Sequence, residues 1–348
     1  SNNELSSSYS VRGGNYDENL IYVNDIEIYR PFLVRSGQQE GLSFIHTDLV
    51  REIQFSAGGF EARYGDKMSS VLDIKYRRPK DFGGTFTGSL LGGSLHMEGT
   101  GKKRRFTWLM GARYRANNYV LGALQTTGEY RPVFADVQTL MAYEINMNWR
   151  VEVLAHYSSN NYRFVPQTRE TSFGTINEAL KLTVYFDGQE NNRFRTFMGA
   201  TSFTYEPSDK TVMKFIASGF RSQEEERFDV QGEYFIGDVD NDLGSDDFGE
   251  VTFNRGVGTY LDHARNQLDA TVLNVYHKGQ HQQENHLFHW GGRAQYEYIF
   301  DELSEWQMID SAGFSIPQAP SDEIQLSEVI KSKAQLESGR FMAYGQYT

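Results

Sequence analysis

The chain contains no cysteine in its 348 residues. Thiol catalysis is excluded, and the absence suits an envelope protein that avoids stray disulfides. No apolar run approaches the roughly 20 residues that a membrane-spanning helix needs, and mean hydropathy is only −0.57. Basic residues are in deficit: 34 Lys and Arg stand against 46 Asp and Glu, a net charge of −12. That balance argues against nucleic acid as a partner. Amphipathic helical periodicity is missing. So are Gly-x-Ser-x-Gly, His-Glu-x-x-His and P-loop patterns, and no nucleophile–base pair stands out; the sequence does not read as an enzyme. What is present is 14% aromatics, 33 glycines and persistent two-residue alternation. A transmembrane β-barrel gives the same low hydropathy, because every second residue faces a polar lumen.

Residues 9–79 hold three short strand-like runs, Leu20–Tyr29, Leu49–Phe55 and Ser70–Tyr76. In the first, Leu20, Tyr22, Ile26 and Ile28 share one parity. Gly13-Gly14 and Gly58-Gly59 mark turns or close backbone approach, and Asp48-Leu49-Val50 could cap a short element. On these features alone a small α+β domain with glycine turns is one reading. Three short matches in order add to it. Arg12-Gly13-Gly14 comes first; an apolar strand then ends in Asn24-Asp25; Tyr64-Gly65, Ser69-Ser70 and Val71–Ile74 come last. This order resembles the second half of the plug domain of TonB-dependent outer-membrane transporters, nearest the Bacteroidetes-type branch. Asn24-Asp25 departs from the usual Asp-Gly, so that turn lacks its glycine.

From Phe82 onward the alternation continues. Phe106, Trp108, Met110, Ala112 and Tyr114 share one face; Arg105, Thr107, Gly111, Arg113 and Arg115 share the other. Trp149, Val151, Val153, Ala155 and Tyr157 oppose Arg150, Glu152, His156 and Ser158. Phe288, Trp290, Ala294, Tyr296 and Tyr298 oppose His289, Arg293, Gln295 and Glu297. Lipid on one side and a wet lumen on the other require this split. Strands are expected at 84–91, 93–100, 105–115, 134–145, 149–160, 193–205, 211–222, 267–277, 285–300 and 338–348. Tight turns at 101–103, 146–148 and 206–210 alternate with long loops at 117–131, 161–192, 222–265 and 301–337. The expectation is an all-β membrane protein: residues 1–80 are the C-terminal part of a small α+β plug, and 81–348 are a partial antiparallel transmembrane β-barrel. Ten strands close too narrow a barrel to hold a plug, whereas plugged transporters use 22. The chain therefore reads as an internal part of a longer precursor. A soluble β-sandwich is the competing reading.

Several side-chain groups are candidate sites. Asp238, Asp240, Asp242, Asp246, Asp247 and Glu250 space carboxylates as a calcium loop might need. Leu243 occupies the place that demands glycine, and a plain solvated loop competes. His277, His281, His286 and His289 surround Glu284; metal binding and a polar turn compete there. Arg12, Arg30, Arg35 and Arg63 could bind carboxylates of the wall, with Glu144 and Glu152 as partners. Tyr29, Arg30 and Phe32 of the plug are candidate cargo contacts. So are the loop aromatics Tyr119, Tyr130, Phe164 and Tyr185.

The resemblance implies active import across a Gram-negative outer membrane. A plug held by polar contacts with a wet lumen would gate a lipid-embedded barrel. Coupling to the TonB–ExbB–ExbD complex would run through a region outside this chain. No cofactor is required, beyond the calcium expectation for the loop. The cargo class stays open among siderophores, cobalamin, glycans and peptides. The alternative is a plugged scaffold for a surface lipoprotein or secretion machinery, with the long loops as docking surfaces.

Overall fold

The alternation builds two sheets, one seated on the inward face of the other. The computed structural model describes residues 11–13, 18–29, 35–36, 39–40, 43–65, 69–116, 128–175, 178–311 and 326–348. The first segment contains β1 (Asn19–Val23), β2 (Ile26–Glu27), β3 (Arg35–Ser36), β4 (Gln39–Glu40), β5 (Val50–Ser56) and β6 (Ser70–Tyr76). β1 pairs in parallel with β6, and the small sheet runs β2-β1-β6-β5. A 3₁₀ turn, Thr47–Leu49, precedes β5. The run 20–29, expected as one strand, is a hairpin. Val23 pairs with Ile26, and Asn24 and Asp25 form the two-residue turn with φ of 51° and 74°. Positive φ at both positions is the geometry that matches strand twist. Asn and Asp tolerate it without glycine.

The second sheet contains β7 (Gly83–Ser89), β8 (Gly92–Thr100), β9 (Phe106–Ala116), β10 (Gly128–Glu144), β11 (Trp149–Pro166), β12 (Arg169–Thr175), β13 (Glu178–Ser208), β14 (Thr211–Val239), β15 (Val251–Gln283), β16 (His286–Ser311) and β17 (Glu328–Tyr347). Ten of these run in antiparallel order from β17 to β7, with β12 paired off the path on β13. β7 and β17 form the two edges and do not pair with each other among the described residues. The sheet is an open barrel wall.

Ten strands form the wall as expected, but most are far longer than expected. β13, β14 and β15 have 31, 29 and 33 residues. The stretches taken as long loops at 161–192 and 222–265 are therefore mostly ladder. The loop after β14 shrinks to 240–250, and Phe164 and Tyr185 lie in strands rather than loops. The alternation weakens where a strand leaves lipid, because neither face must then be apolar. Backbone pairing continues regardless.

Side-chain facing follows the sequence. Phe106, Met110, Tyr114, Val153, Tyr157 and Tyr296 are exposed on the outward face, while Leu109, Glu152, His156 and Gln295 are buried on the inward face. The outward apolar stretch on β11 runs from Trp149 to Tyr157, nine residues, the length a tilted strand needs to cross hydrocarbon. Aromatics ring its short-turn edge. Trp149 stacks on Tyr205 at 4.4 Å, Phe215 on His277 at 4.5 Å, and Phe288 meets Tyr347 at 4.9 Å. This is an interfacial girdle.

The inward face is not uniformly wet, contrary to expectation. Ile21, Val23, Ile26, Phe44, Leu49 and Ile74 of the first segment share one core with Leu109, Leu140, Leu154, Ile216 and Val272 of the wall. Leu109, Leu140 and Leu154 lie side by side on β9, β10 and β11. An apolar seam thus holds the small sheet against the large one, with polar clusters around it.

Candidate functional site: the seam between plug segment and wall

The β1–β2 turn carries Asp25 to the wall. Asn24 fixes the turn: its amide oxygen accepts from the Tyr76 N–H at 2.9 Å, and its own N–H donates to the Ile74 carbonyl at 2.9 Å. Three ammonium groups then surround Asp25: Lys75 of β6 at 2.5 Å, Lys278 of β15 at 2.6 Å and Lys214 of β14 at 2.8 Å. Burial alone would raise the Asp25 carboxyl. The three lysines outweigh it and hold that carboxyl well below the ordinary value. Lys214 also donates to the Asn24 carbonyl at 3.1 Å, and the Tyr276 hydroxyl donates to the Asp25 carbonyl.

The charges alternate outward from this point. Lys75 also meets Asp73 at 3.1 Å, and Lys214 meets Glu152 at 3.6 Å. Glu152 in turn pairs with Arg78 at 3.1 Å. Burial alone would lower the Lys75 ammonium, yet Asp25 and Asp73 raise it overall. The network borders a cavity of about 370 Å³.

A second polar cluster lies beside it. Arg293 of β16 pairs with Glu27 of β2 and donates to the Tyr29 hydroxyl. Tyr29 donates to Asn274 at 3.1 Å and packs its ring on Phe220 at 5.6 Å. Tyr29, a candidate cargo contact by sequence, is thus turned to the wall. Burial, then the Glu27 carboxylate, pushes its phenol well up.

Arg113 of β9 makes the third cluster. Its guanidinium grips Asp136 through two bonds of 2.8 and 2.6 Å and donates to the carbonyls of Ser43 at 2.8 Å and Ile45 at 2.9 Å. Gln138 donates to the Phe44 carbonyl and accepts from the Tyr76 hydroxyl at 2.7 Å. His46 is buried here, and neither ring nitrogen has a hydrogen-bond partner among the described residues. A Cβ on Gly111 would lie 2.6 Å from its ring, so only glycine at that wall position leaves room.

The other sequence candidates are placed as follows. Arg12 and Gly13 have φ of 52° and 78°, and the Arg12 guanidinium occupies the space a Cβ on Gly58 would take. Gly14, Arg30, Phe32 and Tyr119 lie outside the described residues, and Tyr130 enters only as backbone in β10. Tyr64 donates to Asp73 at 2.8 Å and lies under the Arg63 guanidinium at 4.6 Å. Burial and Asp73 push its phenol well up. Gly65 brings the chain beside Met342 of β17. Arg63 pairs with Glu61 at 2.8 Å, and Glu152 takes Arg78, Arg150 and Lys214; Arg30 and the side chain of Arg35 lie outside what is described.

In the acidic loop, Asp240 accepts from the Asp242 N–H and Asp242 from the Gly244 N–H, both at 2.9 Å. Asp238 pairs with Arg255 at 2.7 Å. The Ser245 hydroxyl and then the Asp242 N–H hold the Asp240 carboxyl below its ordinary value. The histidines are separated by their partners. His277 accepts from the Trp290 indole at 3.1 Å, His281 meets Thr211 at 2.8 Å, and His286 meets Tyr347 at 2.5 Å. No group of three or more metal-binding side chains gathers among the described residues.

Lys214, Lys278, Arg293, Asp136 and His46 belong to this seam and were not singled out from sequence. Their signal is weak: the four wall residues are single polar residues at inward parity, brought together only by the register, and His46 lies in no strand.

No family model and no curated protein matches this chain. Among solved structures, the siderophore receptor PirA from Acinetobacter baumannii aligns over 95% of this chain and 71% of its own length, at 10% identity and a TM-score of 0.35. The ferric yersiniabactin uptake receptor FyuA from Yersinia pestis aligns over 99% of this chain and 56% of its own length, at 12% identity and a TM-score of 0.38. The pyoverdine outer membrane receptor FpvA from Pseudomonas aeruginosa aligns over 98% and 72%, at 9% identity and a TM-score of 0.36. Likenesses this distant add nothing to what the chain's own geometry supports.

Proposed function

We propose that this chain is the plug-and-wall part of a TonB-dependent importer in the outer membrane of a Gram-negative bacterium, of the Bacteroidetes type that its plug motifs resemble. One observation carries the reading. A folded segment sits inside a wall whose outward face is apolar, and Asp25 of that segment is held by Lys214 and Lys278 of the wall. Such a segment can move without crossing lipid. Its ion pairs can be exchanged for water, while the apolar seam around Leu109 and Leu154 resists spontaneous release. Displacement then needs applied force, which the TonB–ExbB–ExbD complex would deliver through a region outside this chain. The cargo is a scarce or bulky polar nutrient, and its import requires no cofactor.

The absence of cysteine makes the test direct. A His46→Cys, Gly111→Cys pair introduces two thiols into a stretch that has none and removes the ring that fills the space. Oxidation should lock the segment to the wall and stop nutrient-dependent growth, and reduction should restore it. Import undiminished by the lock would overturn the reading. The second reading, a scaffold for a surface lipoprotein, is favoured by the long extensions of β13, β14 and β15 beyond the apolar band. A scaffold would keep its partner when the TonB-contacting region is deleted; an importer would lose uptake.

A further inference from the structure

Beyond the plug segment the wall sorts its charges by face. Tyr29 meets the wall at Phe220 and Asn274. Four residues past Phe220 the inward positions turn acidic: Glu190 of β13, Glu224 and Glu226 of β14, Asp262 of β15, and Asp301 and Glu305 of β16. Across 188–196, 222–230, 262–270 and 299–307 no Lys or Arg stands at an inward position. The arginines of these stretches, Arg193, Arg195, Arg227 and Arg265, are all at outward parity. Nearer the plug segment inward carboxylates are matched by cations, as Glu152 is by Lys214 and Glu297 by Arg340 at 3.1 Å.

Amides hold several of the acidic groups. Asn192 donates to Glu190 at 2.6 Å, Gln307 to Asp262 at 2.7 Å, and Asn266 to Glu305. A neutral amide orients a carboxylate and leaves its charge in place. A concave wall lined by one sign of charge concentrates ions of the other sign.

Spacing decides what kind of cation fits. Glu190, Phe228, Ala264 and Glu305 stand opposite one another in a single cross-strand row. Three strand spacings put the two carboxylates about 14 Å apart. Glu224, Leu268 and Asp301 form another row, with its acids about 10 Å apart. A calcium ion needs oxygens within about 2.6 Å of one point. No group of three or more metal-binding side chains gathers among the described residues. The face therefore suits several positive groups held apart on one ligand. Phe228, between Glu190 and Glu305, adds a ring that favours ammonium and guanidinium groups.

Buried acceptors on the same face point to a ligand independently. Asn192 lies directly opposite Glu226, is 8% exposed, and its amide oxygen accepts no hydrogen bond among the described residues. Ser158 and Thr196, opposite each other on β11 and β13, are 0% and 2% exposed, and neither hydroxyl has a partner among the described residues. Buried polar atoms are nearly always paired. All three are oxygens, and the N–H groups of a bound cation would satisfy them.

We infer that the inward face of β11 to β16 beyond the plug segment binds an extended polycation, a chain carrying several separated ammonium or guanidinium groups, and that the cargo is of this class. As a statement about cargo this rests on the import reading; the binding itself does not.

The full-length receptor, purified from its membrane in detergent, is titrated by calorimetry with pentalysine, the same peptide acetylated on every lysine, spermine and calcium chloride. Pentalysine or spermine should bind roughly tenfold or more tightly than the acetylated peptide, with affinity falling as salt rises. The order of the two distinguishes a basic peptide from a polyamine. The triple variant Glu190→Gln, Glu226→Gln, Glu305→Gln should weaken binding by roughly tenfold. Glu225→Gln, Glu233→Gln, Glu302→Gln removes the same charge from the outward face and should leave it unchanged. Equal loss in both triple variants would overturn the proposal. So would polycations that bind no better than the acetylated peptide, or calcium that binds as tightly as pentalysine. If the inward triple variant fails to insert, Glu226→Gln and Asn192→Leu are each compared with Glu225→Gln: severalfold weaker pentalysine binding supports the site, and no difference overturns it. Polycation binding without uptake would count against the import reading alone. Uptake of a neutral or anionic nutrient with no polycation binding would count against this inference alone.

Discussion

The imidazole of His46 packs against the bare Cα of Gly111, so that a methyl group there would come within 2.6 Å of the ring. Gly111 lies on β9 between the wall residues that hold the plug segment, and Arg113, two residues on, grips the Ser43 and Ile45 carbonyls. Gly111→Ala should push the 43–46 stretch off the wall, at a cost of about 1–3 kcal/mol for overpacking. Gly199→Ala, on the outward face with nothing within 4 Å, is the control and should be neutral. Thermal unfolding of both variants, with protease access to the plug segment, checks the difference. Equal effects would mean that the His46 contact is not constraining.

Asp25→Asn should be the most damaging single change at the polar end of the seam. It leaves Lys75, Lys214 and Lys278 facing one another with their shared carboxylate gone. Breaking a largely buried pair by removing one partner costs about 3–5 kcal/mol. Lys278→Met should cost less, because two ammonium groups still hold Asp25. Denaturant titration of the two variants should rank them in that order.

The sheet was legible in sequence because lipid imposes a strict two-residue split, and residues such as Trp108 and Tyr157 could be assigned a face from parity alone. The strand ends were not legible. Beyond the apolar band β14 reads Ser-Gln-Glu-Glu-Glu-Arg-Phe-Asp, which carries no alternation, yet it pairs with Arg227 opposite Arg265 and onward. The turn at Asn24-Asp25 was recognised as a motif. Its role was not, because Lys214 and Lys278 lie some 190 and 250 residues away and meet it only through the register of β14 and β15. The apolar seam was missed for a related reason. Leu109, Leu140 and Leu154 are single leucines at inward parity, each unremarked among polar neighbours.

Docking of the plug segment should weaken in mild acid. Burial, then the adjacent Arg113, holds the His46 imidazole below its ordinary value of 6.5, against the opposing pull of Asp136 and Asp48. The undocked histidine keeps the ordinary value and binds the proton more readily. Stability is therefore fully present above about pH 6.5 and falls as the pH drops through the lowered docked value. Asp25 has the same sign in a lower window. Its contribution is present above about 3.9, the ordinary value, and is lost only as the pH falls toward its well-depressed docked value. Part of the loosening that sets in below about pH 6.5 should thus come from His46. His46→Gln should flatten the melting-temperature profile across that window and leave the steeper loss at lower pH. A slope unchanged by His46→Gln would assign the window to another group.

Trp108 and Arg113 lie five residues apart on β9, on opposite faces. Trp108 stands among outward aromatics, with Phe82 at 6.5 Å, whereas Arg113 is partly buried against Asp136 and the plug carbonyls. A lysine on the lipid face costs about 2–4 kcal/mol at mid-bilayer and less near the interface. Trp108→Lys should therefore reduce the yield of heat-modifiable, membrane-inserted protein while leaving any inserted molecules with a seated plug. Arg113→Leu should do the reverse. The wall inserts, because its outward face is unchanged, but Asp136 is left buried without its guanidinium and the Ser43 and Ile45 carbonyls lose their donor, so protease should reach the plug segment. Insertion yield and protease access, measured on the same two preparations, separate the faces. If Trp108→Lys inserted normally and Arg113→Leu did not, lipid and lumen would have exchanged sides.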